Sequence, residues 1–150
     1  TMLPLDAPSV ITRLIEMGVE PFLVSSALIA VLAQRLVRRV CPHCTQQHRP
    51  PADVLHRLEE KTGLDLAGAK LVRGKGCKEC RQTGYRSRTG LFEFLQVAGE
   101  ARDLIAKPAT TEELRAAAIA SGMTTLLKDG IEKAMQGVTT VEEVMRVLGG

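Results

Sequence analysis

Tryptophan is absent from this chain, and Tyr85, Phe22, Phe92 and Phe94 are its only aromatic residues. So few rings exclude an aromatic stacking platform of the kind that grips single-stranded nucleic acid. They also leave any core to Leu, Ile, Val, Ala and Met. Long apolar runs are missing too. The longest, residues 22–33, is interrupted by Ser25 and Ser26 and falls short of the about 20 residues that span a bilayer. Nothing at the start reads as a signal peptide, which predicts a soluble, cytosolic protein. Enzyme signatures are lacking as well. Gly74-Lys75-Gly76 has neither the upstream glycine spacing nor the hydroxyl of a phosphate-binding G-x-x-x-x-G-K-[ST] loop. There is no H-E-x-x-H and no G-x-S-x-G.

What is present suffices for one ordinary domain or two small ones: 150 residues, 45% of them hydrophobic. The net charge of +3 conceals an asymmetry. Residues 35–88 hold thirteen Lys and Arg against five acids, a net of +8, and the remainder carries −5. A basic middle suits an acidic partner such as nucleic acid, phosphates or an anionic membrane surface. It equally suits local compensation of an anionic metal site, because four thiolates and one Zn²⁺ sum to −2 beside Lys75, Lys78 and Arg81.

The strongest chemical signal is Cys-Pro-His-Cys at 41–44 with Cys-Lys-Glu-Cys at 77–80. Each Cys-x-x-Cys turn can present two sulfurs to one metal, and two such knuckles close a tetrahedron. Cys41, Cys44, Cys77 and Cys80 are therefore the predicted ligands of one structural Zn²⁺, and they consume every cysteine in the chain. The 32 residues between the pairs require a small insert to be looped out. A thioredoxin-like redox pair needs only one Cys-x-x-Cys, and a catalytic zinc keeps an open position. His43 and His48 could replace a cysteine, but nothing requires it, and His43 reads as an exposed turn residue. Catalytic and cofactor-binding residues are not expected.

Coarsely, residues 1–40 read as two helices, the first with Asp6 and Pro8 as start signals and Gly18 as its stop. The second opens at Pro21 and runs through Leu28, Leu32, Leu36 and Val40, apolar nearly all round, as a buried helix would be. It then becomes basic at Arg35, Arg38 and Arg39, with 35 and 39 on one face. A polar helix over 53–62 ends at Gly63, and residues 70–73 and 88–97 look extended. Residues 100–150 are helical. Thr110 with Glu113 and Thr140 with Glu143 match the capping box. Glu112, Glu113, Glu142 and Glu143 read as acids that favour a helix N-terminus and nothing more.

Beyond these local signals, the order of motifs resembles a known family. The runs G-V-E-P-F-L-V-S-S-A-L at 18–28, L-A-Q-R-L-V-R-R-V-C-P-H-C at 32–44, G-C-K-E-C-R-Q-T-G-Y at 76–85 and R-T-G-L-F-E-F-L at 88–95 carry it. So do G-M-T-T-L-L-K-D-G at 122–130 and G-V-T-T-V-E-E-V-M-R-V at 137–147. The chain is similar to the C-terminal region of the ATPases that drive type II secretion and type IV pilus assembly. The resemblance implies a mainly helical α+β chain. Residues 1–40 would be the last helices of a RecA-like core, 41–90 a four-cysteine zinc insert and 91–150 a helical C-terminal subdomain. It also implies a cytoplasmic homo-hexamer, peripheral to the inner membrane and docked on secretion or pilus platform proteins. ATP and Mg²⁺ would bind only in the parent, whose phosphate loop and acidic boxes lie upstream, so this chain alone is expected to be inactive. The family's histidine box should fall at Leu3-Pro4-Leu5, where the chain departs from it. Two rival readings are a free-standing zinc adaptor for a protein partner and a nucleic-acid-binding zinc ribbon.

Overall fold

The computed structural model describes residues 6–107 and 109–149. The departure at Leu3-Pro4-Leu5 lies outside these residues. The described chain is α+β and mainly helical: α1 (Ala7–Glu16), α2 (Pro21–Ala27), β1 (Ala30–Val40), β2 (Thr45–Gln47), α3 (Ala52–Thr62), β3 (Val72–Gly74), β4 (Tyr85–Gln96), α4 (Gly99–Ile105), α5 (Thr111–Ala120), α6 (Leu126–Met135) and α7 (Val141–Leu148). β1 pairs with β4 and β2 with β3 in two separate two-stranded sheets. Two compact units divide the residues, one holding 6–34 with 92–126 and the other 35–91 with 127–149.

The first unit starts as its sequence signals direct. Asp6 caps α1 by accepting the Ser9 amide at 2.9 Å, and Pro8 sits in the first turn, where its missing N–H is harmless. Thr110 and Glu113 form the reciprocal capping box on α5. Helices α1, α2, α4 and α5 bury Ile11, Val24, Ile105 and Leu114 against Val31, Leu95 and Val97. Inside lies one carboxylate, Glu93, whose residue is 3% exposed. It accepts the Ala7 amide at 2.7 Å and the Leu126 amide at 3.0 Å, so it satisfies a free N–H at the start of both α1 and α6. Glu93→Ala should lower stability by about 2–4 kcal/mol, since two buried donors lose their acceptor. Denaturant titration with unchanged slope would measure it, and a loss under 1 kcal/mol would show that water replaces the carboxylate.

The second helix differs from expectation. It ends at Ala27, and residues 30–40 are strand β1. The spacing Leu28-Leu32-Leu36 is helical, but the same segment also alternates. Val31 and Val37 are buried, whereas Leu32 and Leu36 are exposed. Pairing decides between the two periods. The Val97 amide donates to the Ile29 carbonyl and the Cys41 amide to the Gly84 carbonyl, so β1 runs antiparallel to β4. A buried helix is excluded as well by Phe22, which is 72% exposed. Arg35, Arg38 and Arg39 consequently lie on a strand, whose successive side chains point to opposite faces.

The second unit buries Leu55, Leu58, Leu66, Leu71, Leu91, Ile131, Ala134 and Val144. Gly130 lets α6 approach closely: a Cβ there would lie 2.6 Å from Val144 and 3.1 Å from Leu91. The charge asymmetry of the sequence segregates by unit. The first holds four Lys and Arg against eight acids, the second sixteen against nine.

Candidate metal centre

Strand β1 ends at Val40 and delivers Cys41, and the following turn brings Cys44 back beneath it. β2 and β3 pair with Thr45 opposite Gly74 and Gln47 opposite Val72, so they return the chain to Cys77. A 3-10 turn, Lys78–Cys80, carries the last sulfur. All four sulfurs lie within 4.8 Å of one another. Cys41 Sγ is 3.8 Å from Cys77 Sγ, Cys44 Sγ is 3.9 Å from Cys80 Sγ, and Cys77 Sγ is 3.7 Å from Cys80 Sγ. Sulfurs about 2.3 Å from a central zinc stand about 3.8 Å apart on a regular tetrahedron. These separations fit a four-coordinate metal and are far longer than the about 2.05 Å of a disulfide.

Backbone amides complete the knuckles. Gly76 N–H donates to Cys44 Sγ at 3.3 Å, Cys77 N–H to Cys80 Sγ at 3.2 Å and Gly84 N–H to Cys80 Sγ at 3.3 Å. Left-handed backbone at Arg81 and Gln82 turns the chain so that the Gly84 amide faces back to the sulfur. Burial opposes a thiolate at Cys80, yet the amides of Cys77 and Gly84 bring its thiol down to about 6. Burial pushes Cys44 up to about 11. The glycines are required by contact: a Cβ on Gly74 would lie 2.0 Å from the Gly84 carbonyl oxygen.

Among the described residues no histidine joins the cluster. His43 is exposed in the first turn, and His48 places Nε2 2.8 Å from Glu142 Oε1. Ser25 and Ser26 return their hydroxyls to the carbonyls of Phe22 and Leu23, one turn back in α2.

Glu143 was not legible as more than a helix-terminal acid, and here the structure corrects the reading. Thr140 does accept the Glu143 amide, at 3.1 Å. The carboxylate, however, does not return to the Thr140 backbone. It is fully buried and accepts five N–H groups: the Arg38 amide at 3.0 Å, Arg38 Nε and Nη2 at 3.0 and 2.7 Å, and Arg146 Nε and Nη2 at 2.8 and 2.7 Å. Burial works against the charge, but these donors hold the carboxyl down to about 2. Arg38 also stacks 4.2 Å from the centre of the Tyr85 ring. Of the three basic residues, Arg38 is thus committed inside the unit. The one available signal was position, because residue 143 shares a helix face with Val147, four residues on.

Residues 1–146 match the family model described as "Type II/IV secretion system protein". The chain is 48% identical over 140 residues to the type IV pilus assembly ATPase PilB of Thermus thermophilus, covering 93% of this chain and 16% of that protein. It is 44% identical over 143 residues to type II secretion system protein E of Pseudomonas aeruginosa, covering 95% and 28%, and 43% identical over 142 residues to HxcR of the same organism, covering 95% and 26%. The chain therefore spans between 16% and 28% of the length of these relatives. On this match the chain belongs to the type II/IV secretion system protein family.

Proposed function

We propose that the chain is the C-terminal, zinc-binding portion of a hexameric ATPase that powers type II secretion or type IV pilus assembly. The observation that carries the zinc is the near-tetrahedral spacing of Cys41, Cys44, Cys77 and Cys80. Family membership supports the motor, since its relatives include a pilus assembly ATPase and a secretion system protein E. In this reading residues 1–40 end the RecA-like core, 41–90 form the zinc insert and 91–150 the C-terminal subdomain. ATP and Mg²⁺ belong to the upstream part of the parent. This region stabilises the subunit, contributes to ring assembly and passes nucleotide-driven motion to platform proteins at the inner membrane. It works from the cytoplasmic side, and no helix among the described residues is long and apolar enough to cross a membrane.

Zn²⁺, when bound, supplies four metal–sulfur bonds as a cross-link and no reaction centre, because four thiolates leave no open position. Elemental analysis of protein purified without chelator should give one zinc per chain; well under one would overturn the zinc assignment. In the full-length parent, Cys77→Ser should abolish secretion or piliation while leaving the upstream phosphate loop intact. Normal export by that variant would remove the metal from the motor's function.

A further inference from the structure

Resting on the zinc reading, we propose that Glu143 of α7 is a positioning residue for the four-cysteine site, acting through Arg38. The segment ahead of α7 grips the metal-bearing turns from two sides. On the Cys41 side, the Val40 amide donates to the Val138 carbonyl at 3.0 Å, and Thr139 Oγ1 donates to the Arg38 carbonyl at 2.8 Å. The Glu143 carboxylate takes the amide of that same Arg38 and both arms of its side chain. The backbone three residues before Cys41 is therefore fixed at its N–H, its C=O and its guanidinium.

On the Cys80 side, the same cluster reaches Tyr85. Its hydroxyl lies 2.8 Å from Thr140 Oγ1, and its ring lies under Arg38. Tyr85 follows Gly84, whose carbonyl accepts the Cys41 amide at 3.0 Å and whose amide donates to Cys80 Sγ. Thr139, Thr140 and Glu143 are each at most 1% exposed, so water cannot substitute for them. One buried carboxylate thus sets where Cys41 and Gly84 stand relative to each other, and with them two corners of the tetrahedron. Arg146, the second partner of Glu143, lies on α7 itself and touches neither metal-bearing turn through any contact described above.

That asymmetry makes the assignment testable. Groups that orient metal ligands typically change metal affinity 10–100-fold when mutated. Zinc affinity would be measured by competition with a chromophoric chelator, and site geometry by the absorption of the Co²⁺-substituted chain. Glu143→Gln and Arg38→Met should each weaken zinc binding at least about 10-fold and alter the Co²⁺ ligand-field bands. Arg146→Met, which takes two donors from Glu143 but none from a metal-bearing turn, should weaken zinc binding less than Arg38→Met does. Ile11→Val, a core variant of the first unit, should lose stability without altering the Co²⁺ spectrum. If Glu143→Gln fails to fold, Arg38→Lys, which keeps the charge but loses the fork, carries the comparison. Wild-type affinity and spectrum in the Arg38 variants would overturn the positioning role and leave the zinc reading standing. Failure of the unmutated chain to bind zinc or Co²⁺ would overturn both.

Discussion

Cys77→Ser should melt residues 41–90 while the helices of the first unit persist. The segment between the two knuckles has little to hold it. Its secondary structure is the eleven-residue α3 and two three-residue strands, and its buried leucines are Leu55, Leu58, Leu66 and Leu71. A core of four leucines cannot offset the ordering of that many residues, at about 1–2 kcal/mol of backbone entropy each. Structural zinc contributes folding free energy directly, an apparent 10–16 kcal/mol in zinc-finger peptides. Serine leaves three thiolates and an unfilled position, so a loss beyond about 4 kcal/mol is expected, in the range reached when a metal or disulfide is lost. Hydrogen exchange gives the local readout. The Lys75 amide donates to the Cys44 carbonyl and the Gly76 amide to Cys44 Sγ, and both should be protected in the zinc form. In Cys77→Ser they should exchange close to the unfolded rate, while the α5 amides stay protected. Equal protection at residues 75 and 76 in both proteins would mean that the insert folds without its metal.

Much of this centre was legible from residues alone, for a physical reason. A Cys-x-x-Cys turn is a local geometry, so its sulfurs converge wherever the chain carries it. Helix ends were local too: Asp6, Gly63 and Thr110 do what their types dictate. Strand β1 was misread because its apolar residues satisfy two periods at once, and the deciding partner, β4, begins 45 residues after β1 ends. Glu93 and Glu143 were missed for the same reason. A buried carboxylate is identified by its donors, and those of Glu93 come from Ala7 and Leu126, those of Glu143 largely from Arg38. No window of local sequence contains both halves of such a contact.

Acid should expose the Glu143 contribution. Its carboxyl titrates at about 2 in the folded chain against an ordinary value of 4.5. A depressed folded value means that the stabilisation is complete above 4.5 and is lost as pH falls through 4.5 towards 2. At 1.36 kcal/mol for each tenfold change in proton affinity, the loss is roughly 3 kcal/mol. The carboxylate has no accessible surface, but Arg38 and Arg146 are 41% and 58% exposed, so solvent screening of these donors makes that figure an upper value. Glu143→Gln removes the charge at every pH and turns an amide N–H₂ towards the Arg38 and Arg146 donors. At pH 7 it should therefore be destabilised by about 3–5 kcal/mol, as when one partner of a buried ion pair is removed. Acid also protonates the four cysteines in both proteins, so the informative quantity is the gap between their stability curves. That gap should be widest above pH 5 and should shrink by up to about 3 kcal/mol by pH 2. Urea titrations of both proteins at half-unit steps would trace it. A gap that stays constant across this range would mean that Glu143 supports the fold through packing alone, with its charge contributing nothing.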